Sequence, residues 1–599
     1  MSRSSQNRRN KKGGKTGANN RSTLIIGLVF VLVFAGCAIT SVTMGRWAWD
    51  GIFQQTPATE NAAVLTWAKD SAELTVAVNP VLAPTLAQRV EAFNRLSQKT
   101  PDGQTMQVAL TEIAPEKMVE TSLGQPPFQA VIPDSALWLN QIDQRWAADN
   151  PLDHPLDHPV DSGGIAPRRV GDPTRFAISP IVLAAWEDTA RSLGWPDAPV
   201  GWAEIQRKAI SDPNFKWNHP NTQHATGLLA TLAEFYAGAG LTRGLTAEIA
   251  NQQSVLDYVR DVEATVRFYG EGEDVIVQRL EQEGRGFLDA FVAQEQTVIR
   301  WNESHGSGDR LIALYPKEGT LWTDHPLALL ELGAAGETAV TDNQRRTFQA
   351  FGEFLLSNES QQAFLTAGYR PADVGIDLSA SGSPFAGTDA VDASQPKTTL
   401  QIPSAAVVEV VQNVWYYTKR PTNVYLVVDT SGSMAGEKMD RTRTALQSFV
   451  SQIQGDRDKV GIVEFGSGVK RFEPLRSLNE GGREQMVEII AGMEADGYTA
   501  LLDAVWQAQD DLQTVADANA INAIVVMTDG QENDSYRSMD DLRRAFENSP
   551  TPVVVFTIAF GSDADDSLLQ ELARIGGGQF RRADETDIEE LYRILSTYF

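Results

Sequence analysis

The stretch Asn423–Ser433, NVYLVVDTSGS, constrains this chain more than any other. The apolar or aromatic run Val424 to Val428 leads into an aspartate that is followed at once by small and hydroxyl-bearing residues. Such a run reads as a buried strand, and the Asp, Ser and Gly after it as a turn rich in oxygen ligands. Two later segments share the pattern. Asp496-Gly497-Tyr498-Thr499-Ala500 stands just before a helical pattern, and Ile524–Gly530, IVVMTDG, is another apolar strand ending on an aspartate.

In an open α/β sheet the carboxyl ends of the strands lie side by side at one edge, where a crevice forms. Asp429, Ser431, Ser433, Thr499 and Asp529 would converge there, offering carboxylates and hydroxyls without Cys or His. A hard, oxygen-only set suits Mg²⁺, with Mn²⁺ the nearest rival and soft metals disfavoured. Taken alone, DTSGSM also reads as an ordinary strand-to-helix turn whose Ser and Asp cap orphan amides. The three pieces in this order favour the site.

D-x-S-x-S with a distant Thr and a later TDG resembles the metal-ion-dependent adhesion site of von Willebrand factor type A domains. The resemblance implies that Ser431, Ser433 and Thr499 bind the ion directly, and that Asp429 and Asp529 act through water. With only the aspartates charged, a bound ion would keep its attraction for an outside carboxylate. Together with the resemblance, this implies a partner protein that supplies an Asp or Glu to a bridging Mg²⁺. Residues 421–599 alternate strand and helix patterns, with Lys470 to Phe472 at an antiparallel edge, which is the signature of a doubly wound, mostly parallel, Rossmann-like sheet.

The other end of the chain sets the compartment. The first 21 residues hold seven Lys or Arg and no acid, and residues 1–22 read as a basic disordered cytoplasmic tail or signal n-region. Nucleic-acid binding is not expected of it, because an apolar run, Leu24–Ile39, follows directly and the whole chain carries a formal charge of -27. Residues 23–44 read as an export signal or membrane anchor, with the positive flank inside and the bulk of the chain at the extracytoplasmic face. Phe34-Ala35-Gly36-Cys37 resembles a bacterial lipobox, in which Cys37 would be lipidated. A buried thiol in an uncleaved transmembrane anchor is the alternative. Cys37 is the only cysteine, so no disulfide within the chain is available.

Residues 45–72 read as a stalk and 73–380 as one long α/β region. The latter resembles the bacterial extracellular solute-binding proteins, two lobes about a hinge, through VAVNPVLAPTLAQRVEAFN, TRFAISPIVLAAWEDTARSLGWPD, and LWTDHPLALLE with FGEFLLSNESQQAFLTAGYRP. The fold class expected is thus α/β, a two-lobed periplasmic-binding-protein-like region followed by the type A domain. A small solute is expected in a cleft lined by Asn79, Ser135, Ser179, Thr222, Thr226 and Asp324, each of which also reads as a simple turn or cap residue. Ser179-Pro180 is placed at a helix entrance, Ala293–Arg300 as a strand and Ile249–Gly270 as helix. Pro155 and Pro159 argue against a metal site at His154 and His158. Residues 381–420 read as a linker followed by a helix from Ser404 to Thr418 with Val407, Val408, Val411 and Trp415 on one stripe.

None of the six histidines falls in 421–599, which leaves Glu532 and Asp534 as the nearest candidate bases and disfavours an enzyme. The sequence thus points to a membrane-anchored extracytoplasmic binding protein. An adhesion or scaffold protein without a solute and a metal-dependent hydrolase are the alternatives.

Overall fold

The computed structural model describes residues 67–150, 168–270, 272–305, 307–333, 337–515, 517–584 and 588–599. The basic tail, the anchor with Cys37, most of the stalk and the His154/His158 duplication lie outside the described residues. Among the described residues no helix is long and apolar enough to cross a membrane.

The first lobe is built on β1 (Glu73–Val78), β2 (Gln107–Glu112), β3 (Ala130–Ile132), β4 (Thr174–Arg175) and, returning later, β10 (Pro326–Leu329), in the order β2-β1-β3-β10-β4. The second lobe centres on β5 (Ala177–Trp186), flanked by β6 (Trp217–Asn218), β7 (Ala290–Gln294), β8 (Leu311–Leu314), β9 (Trp322–Thr323) and β11 (Arg370–Pro371). The chain therefore passes between lobes at 176, again at 324–325, and once more between β10 and β11. Asp324 sits in the second crossing and ties it back to the first lobe, accepting from the Ala136 amide and from Arg175.

Three expectations change here. FAISPIVLAAW is strand throughout, and the helix starts only at Glu187. Ile181 to Trp186 are buried on both faces, as a central strand requires, and Pro180 falls where β5 passes from pairing with β9 to pairing with β7. The expected strand 293–300 ends at Gln294, and Glu295–Ser304 is helix, with Val298, Ile299 and Trp301 turned into the core. The stretch 249–270 is broken into Ala247–Ala250 and Gln253–Glu263. The 381–398 linker lies against the second lobe: Phe385, Ala390 and Val391 are buried, and Arg370 donates to the carbonyls of Asp392 and Ala393.

The carboxyl-terminal domain has β12 (Thr422–Asp429), β13 (Lys459–Phe465), β14 (Val469–Ser477), β15 (Ile521–Thr528), β16 (Val553–Phe560) and β17 (Phe580–Ala583), in the order β14-β13-β12-β15-β16-β17. Every neighbouring pair is parallel except β13 with β14. Along β12 the side chains divide with period two. Tyr425 and Val427 join the cluster under helices Leu501–Val515 and Asp566–Ile575, whereas Val424, Leu426 and Val428 join a core that continues into the two-lobed region.

That continuity is held at the seam. The helix Ala405–Thr418 buries Val407, Val408, Val411 and Trp415, and the Trp415 ring meets Tyr269 edge-on at 4.9 Å. Arg420 donates to the carbonyls of Val266 and Ala518, one on each side. Lys419 and Asp458 form an ion pair of 2.9 Å with both side chains 2% exposed.

Candidate functional site

Strand order reverses between β12 and β15: successive strands run outward to one side from β12 and to the other from β15. A crevice opens at the carboxyl edge of such a switch point. The register puts Val428 against Met527, so Asp429 and Asp529 emerge side by side. Both are 0% exposed.

The three loops are cross-braced. The Asp496 amide donates to Thr430 O at 2.8 Å, Gly432 N to Gly497 O at 2.9 Å, and the Lys470 ammonium to both Thr430 O and Asp496 O. Thr499 N donates to Asn533 Oδ1, and Asn533 N returns a bond to Thr499 O. Gly497 holds φ +86°, and a Cβ there would stand 2.7 Å from Ser467 Oγ. Gly530 is tight for a different reason: its Cβ would come within 3.1 Å of Thr499 Oγ1.

Around this frame the side-chain oxygens gather. Ser431 Oγ and Ser433 Oγ are 3.0 Å apart, and Ser433 Oγ donates to Asp529 Oδ1 at 2.7 Å. Ser431 N donates to Asp429 Oδ1 at 2.7 Å, and Thr528 Oγ1 donates to Asp429 Oδ2. Burial pushes the Asp429 carboxyl above its usual range, against those hydrogen bonds, which lower it. The spacing fits the expected ion. Neighbouring ligands of an octahedral Mg²⁺ with bonds of about 2.1 Å lie about 3.0 Å apart.

Lys438, which the sequence reading passed over, donates to Asp529 Oδ2. It stands nine residues after Asp429 in DTSGSMAGEK, close enough to have been a candidate from its position alone.

The second site is a cleft of 490 Å³ between the lobes. The first lobe lines it with residues that follow β1, β2 and β3, including Asn79, Glu116 and Asp134. The second lobe contributes Thr226, Glu273 and Gln294, and Thr597 from the end of the carboxyl-terminal domain reaches the same space. Of the six cleft residues named from sequence, Asn79 and Thr226 line it. The others are used elsewhere: Ser135 Oγ caps the helix Ala136–Asp149, Ser179 Oγ accepts from Gln296 N, Thr222 O accepts from Gln412, and Asp324 ties the hinge.

The cleft is acidic. Glu112, Glu116, Asp134, Glu273 and Asp274 line it, with Lys117 its one Lys or Arg. Burial pushes Asp134 and Glu273 each up to about 7. Trp138 Nε1 donates to Asp134, and Gln294 N and Thr297 Oγ1 donate to Glu273, which opposes that rise. Asp134 stands directly before Ser135, one residue from a position that the sequence singles out.

A third cluster joins His219, Glu234 and Glu263, whose ligand atoms all lie within 4.8 Å of one another, and it can coordinate a divalent metal. Glu234 had a sequence signal: it is the only charged residue in the helix Ala225–Ala239, ATGLLATLAEFYAGA.

The comparisons with known proteins fall on the same two parts. Residues 74–370 match the model of the bacterial extracellular solute-binding protein family, and residues 423–594 that of the von Willebrand factor type A domain. The chain therefore joins a solute-binding-protein-like region to a von Willebrand factor type A domain with a metal-coordinating site. Both are binding or adhesion domains, consistent with a non-enzymatic protein, and the solute-binding-like region points to an extracytoplasmic location.

Among curated proteins the chain is similar to inter-alpha-trypsin inhibitor heavy chain H4 of Sus scrofa, 29% identical over 28% of this chain and 18% of that protein. It is also similar to heavy chain H3 of Homo sapiens, 24% identical over 28% of this chain and 20% of the relative. The chain thus spans about a fifth of the length of these relatives. Among solved structures, a von Willebrand factor type A protein from Catenulispora acidiphila matches with TM-score 0.27 and 22% identity, over 30% of this chain and 43% of that one. The sulfate-binding protein SubI from Mycobacterium tuberculosis H37Rv matches with TM-score 0.35 and 17% identity, over 51% and 90%.

Proposed function

We propose that this chain is a membrane-anchored, extracytoplasmic binding protein that captures a small, positively charged solute between its lobes and engages a partner protein through its type A domain. The gathering of Asp429, Ser431, Ser433, Thr499 and Asp529 at the β12/β15 switch point carries the reading, above all the 3.0 Å and 2.7 Å spacings among Ser431, Ser433 and Asp529. These residues would hold one Mg²⁺, with Mn²⁺ the alternative. When bound, the ion supplies an open position for an Asp or Glu of the partner. Asp429 and Asp529 are the charged groups of the set, and the hydroxyls hold their places through the braced loops. Residues 23–44 would carry the anchor, by lipid on Cys37 or by a transmembrane segment.

Calorimetric titration of Mg²⁺ into the wild type, Asp429→Ala and Asp529→Ala tests the metal site. A saturable heat in the wild type that both variants lose is expected, and equal heats from all three would end the proposal. The acidity of the cleft supports a cationic solute, because buried carboxylates are retained where a counter-charge meets them. A thermal-shift panel of amines, amino acids, sugars and oxyanions separates this from a scaffold without a solute. Cationic compounds should raise the melting point, whereas no shift with any compound favours the scaffold.

A further inference from the structure

We propose that His219, Glu234 and Glu263 bind one divalent transition-metal ion, zinc by their donor set, inside the second lobe where Glu263 meets Trp415 of the seam helix Ala405–Thr418. This site is separate from the one at Asp429 and Asp529, and the inference does not rest on the adhesion reading.

His219 Nδ1 lies 2.7 Å from Pro220 O. A carbonyl only accepts, so Nδ1 carries the proton. In the neutral ring, Nε2 then presents its lone pair to Glu263 Oε2, 3.2 Å away. Two acceptors at that distance repel unless a cation lies between them. Ligands about 2 Å from a tetrahedral zinc stand about 3.3 Å apart, which matches the observed spacing.

Glu234 supplies the independent observation. Its side chain is fully buried, and neither carboxylate oxygen has a hydrogen-bond partner. Burial, with Glu263 beside it, pushes this carboxyl well above its usual range. An unpartnered buried carboxyl destabilises the fold even when neutral, because it has given up its water without a replacement. A dication answers both problems at once, because two carboxylates, a neutral imidazole and M²⁺ sum to zero charge.

The surroundings are those of ligands held for a metal. The Nδ1–H of His219 is fixed on a backbone carbonyl, which sets the tautomer and aims Nε2 inward. Glu263 Oε1 accepts from Trp415 Nε1 at 2.6 Å, and Oε2 accepts from Tyr269 OH at 2.7 Å. Tyr269 OH in turn accepts from Arg420 N, just ahead of β12. The ion would thus link the helices Ala225–Ala239 and Gln253–Glu263 to the segment that starts the type A domain. One imidazole nitrogen with carboxylate oxygens suits zinc, and Fe²⁺ or Mn²⁺ next.

The rival is a proton-filled cluster, with Glu234 neutral and His219 doubly protonated against Glu263. Because the cluster is sealed, the metal enters during folding. The full chain is therefore expressed in medium supplemented with zinc, or with cobalt as a visible probe, dialysed against chelator, and its metal counted per chain. The wild type and Asp429→Ala should both retain about one zinc, and the cobalt form should absorb in the visible. Glu234→Gln should lose the metal. Tyr269→Phe and Trp415→Phe, which leave the ligands in place, should weaken retention about 10- to 100-fold. Zinc absent from the wild type, or zinc that follows Asp429 and not Glu234, overturns the proposal. Should Glu234→Gln fail to fold, Trp415→Phe decides: full metal retention there would also count against it.

Discussion

Asp134 and Glu273 face the cleft with carboxyls raised to about 7, and this makes the stability of the two-lobed region depend on pH in a defined direction. Unfolded, the two groups titrate near 3.8 and 4.5. Between those values and about 7 the folded chain holds protons that the unfolded chain has released, so stability falls as pH rises across that window and levels off above it. Taken from pH 5 to pH 8, each group costs about 2.5 kcal/mol, and the pair about 5 kcal/mol, by linkage at about 1.36 kcal/mol per pKa unit. Asp134→Asn with Glu273→Gln removes the titration while keeping the oxygens that accept from Trp138, Gln294 and Thr297. Denaturant unfolding of wild type and double variant at both pH values should therefore show little gain at pH 5, and a stabilisation larger by several kcal/mol at pH 8. A cationic solute added at pH 8 should restore much of the loss to the wild type alone. A difference between the two proteins that does not change with pH would refute the reasoning.

Other expectations are as direct. Lys438→Ala frees Asp529 from its ammonium partner and should tighten Mg²⁺ about 5-fold, the equivalent of about 1 kcal/mol for a half-buried pair, read by calorimetry; weaker binding would show that Lys438 supports the site. Gly530→Ala should weaken Mg²⁺ while leaving the circular dichroism spectrum unchanged, because its Cβ crowds Thr499 Oγ1. Lys419→Met strands the buried Asp458 carboxylate at the seam and should cost about 3 kcal/mol in denaturant unfolding. Adding Asp458→Asn to it should recover part of that loss.

The carboxyl-terminal domain was legible almost element by element because its four inner strands, β12, β13, β15 and β16, are compact, largely apolar runs between turn residues. The helix Ala405–Thr418 was equally plain, since Val407, Val408, Val411 and Trp415 keep helical spacing and are all buried. FAISPIVLAAW was not. A run that is apolar all round has no period from which to tell strand from buried helix, and only the strands that β5 pairs with decide it.

Sequence alone determined the order of the two parts and singled out Asp429, Ser431, Ser433, Thr499 and Asp529 as candidate oxygen donors, because those residues lie in short motifs whose meaning is local. Tertiary structure alone decided that Lys438 pairs with Asp529, that Asp134 and Glu273 face one cleft, and that His219, Glu234 and Glu263 meet. His219 and Glu263 are 44 residues apart, and nothing in the intervening chain encodes their approach. It follows from how the helices of the second lobe pack, and packing is a property of whole surfaces that no short stretch contains.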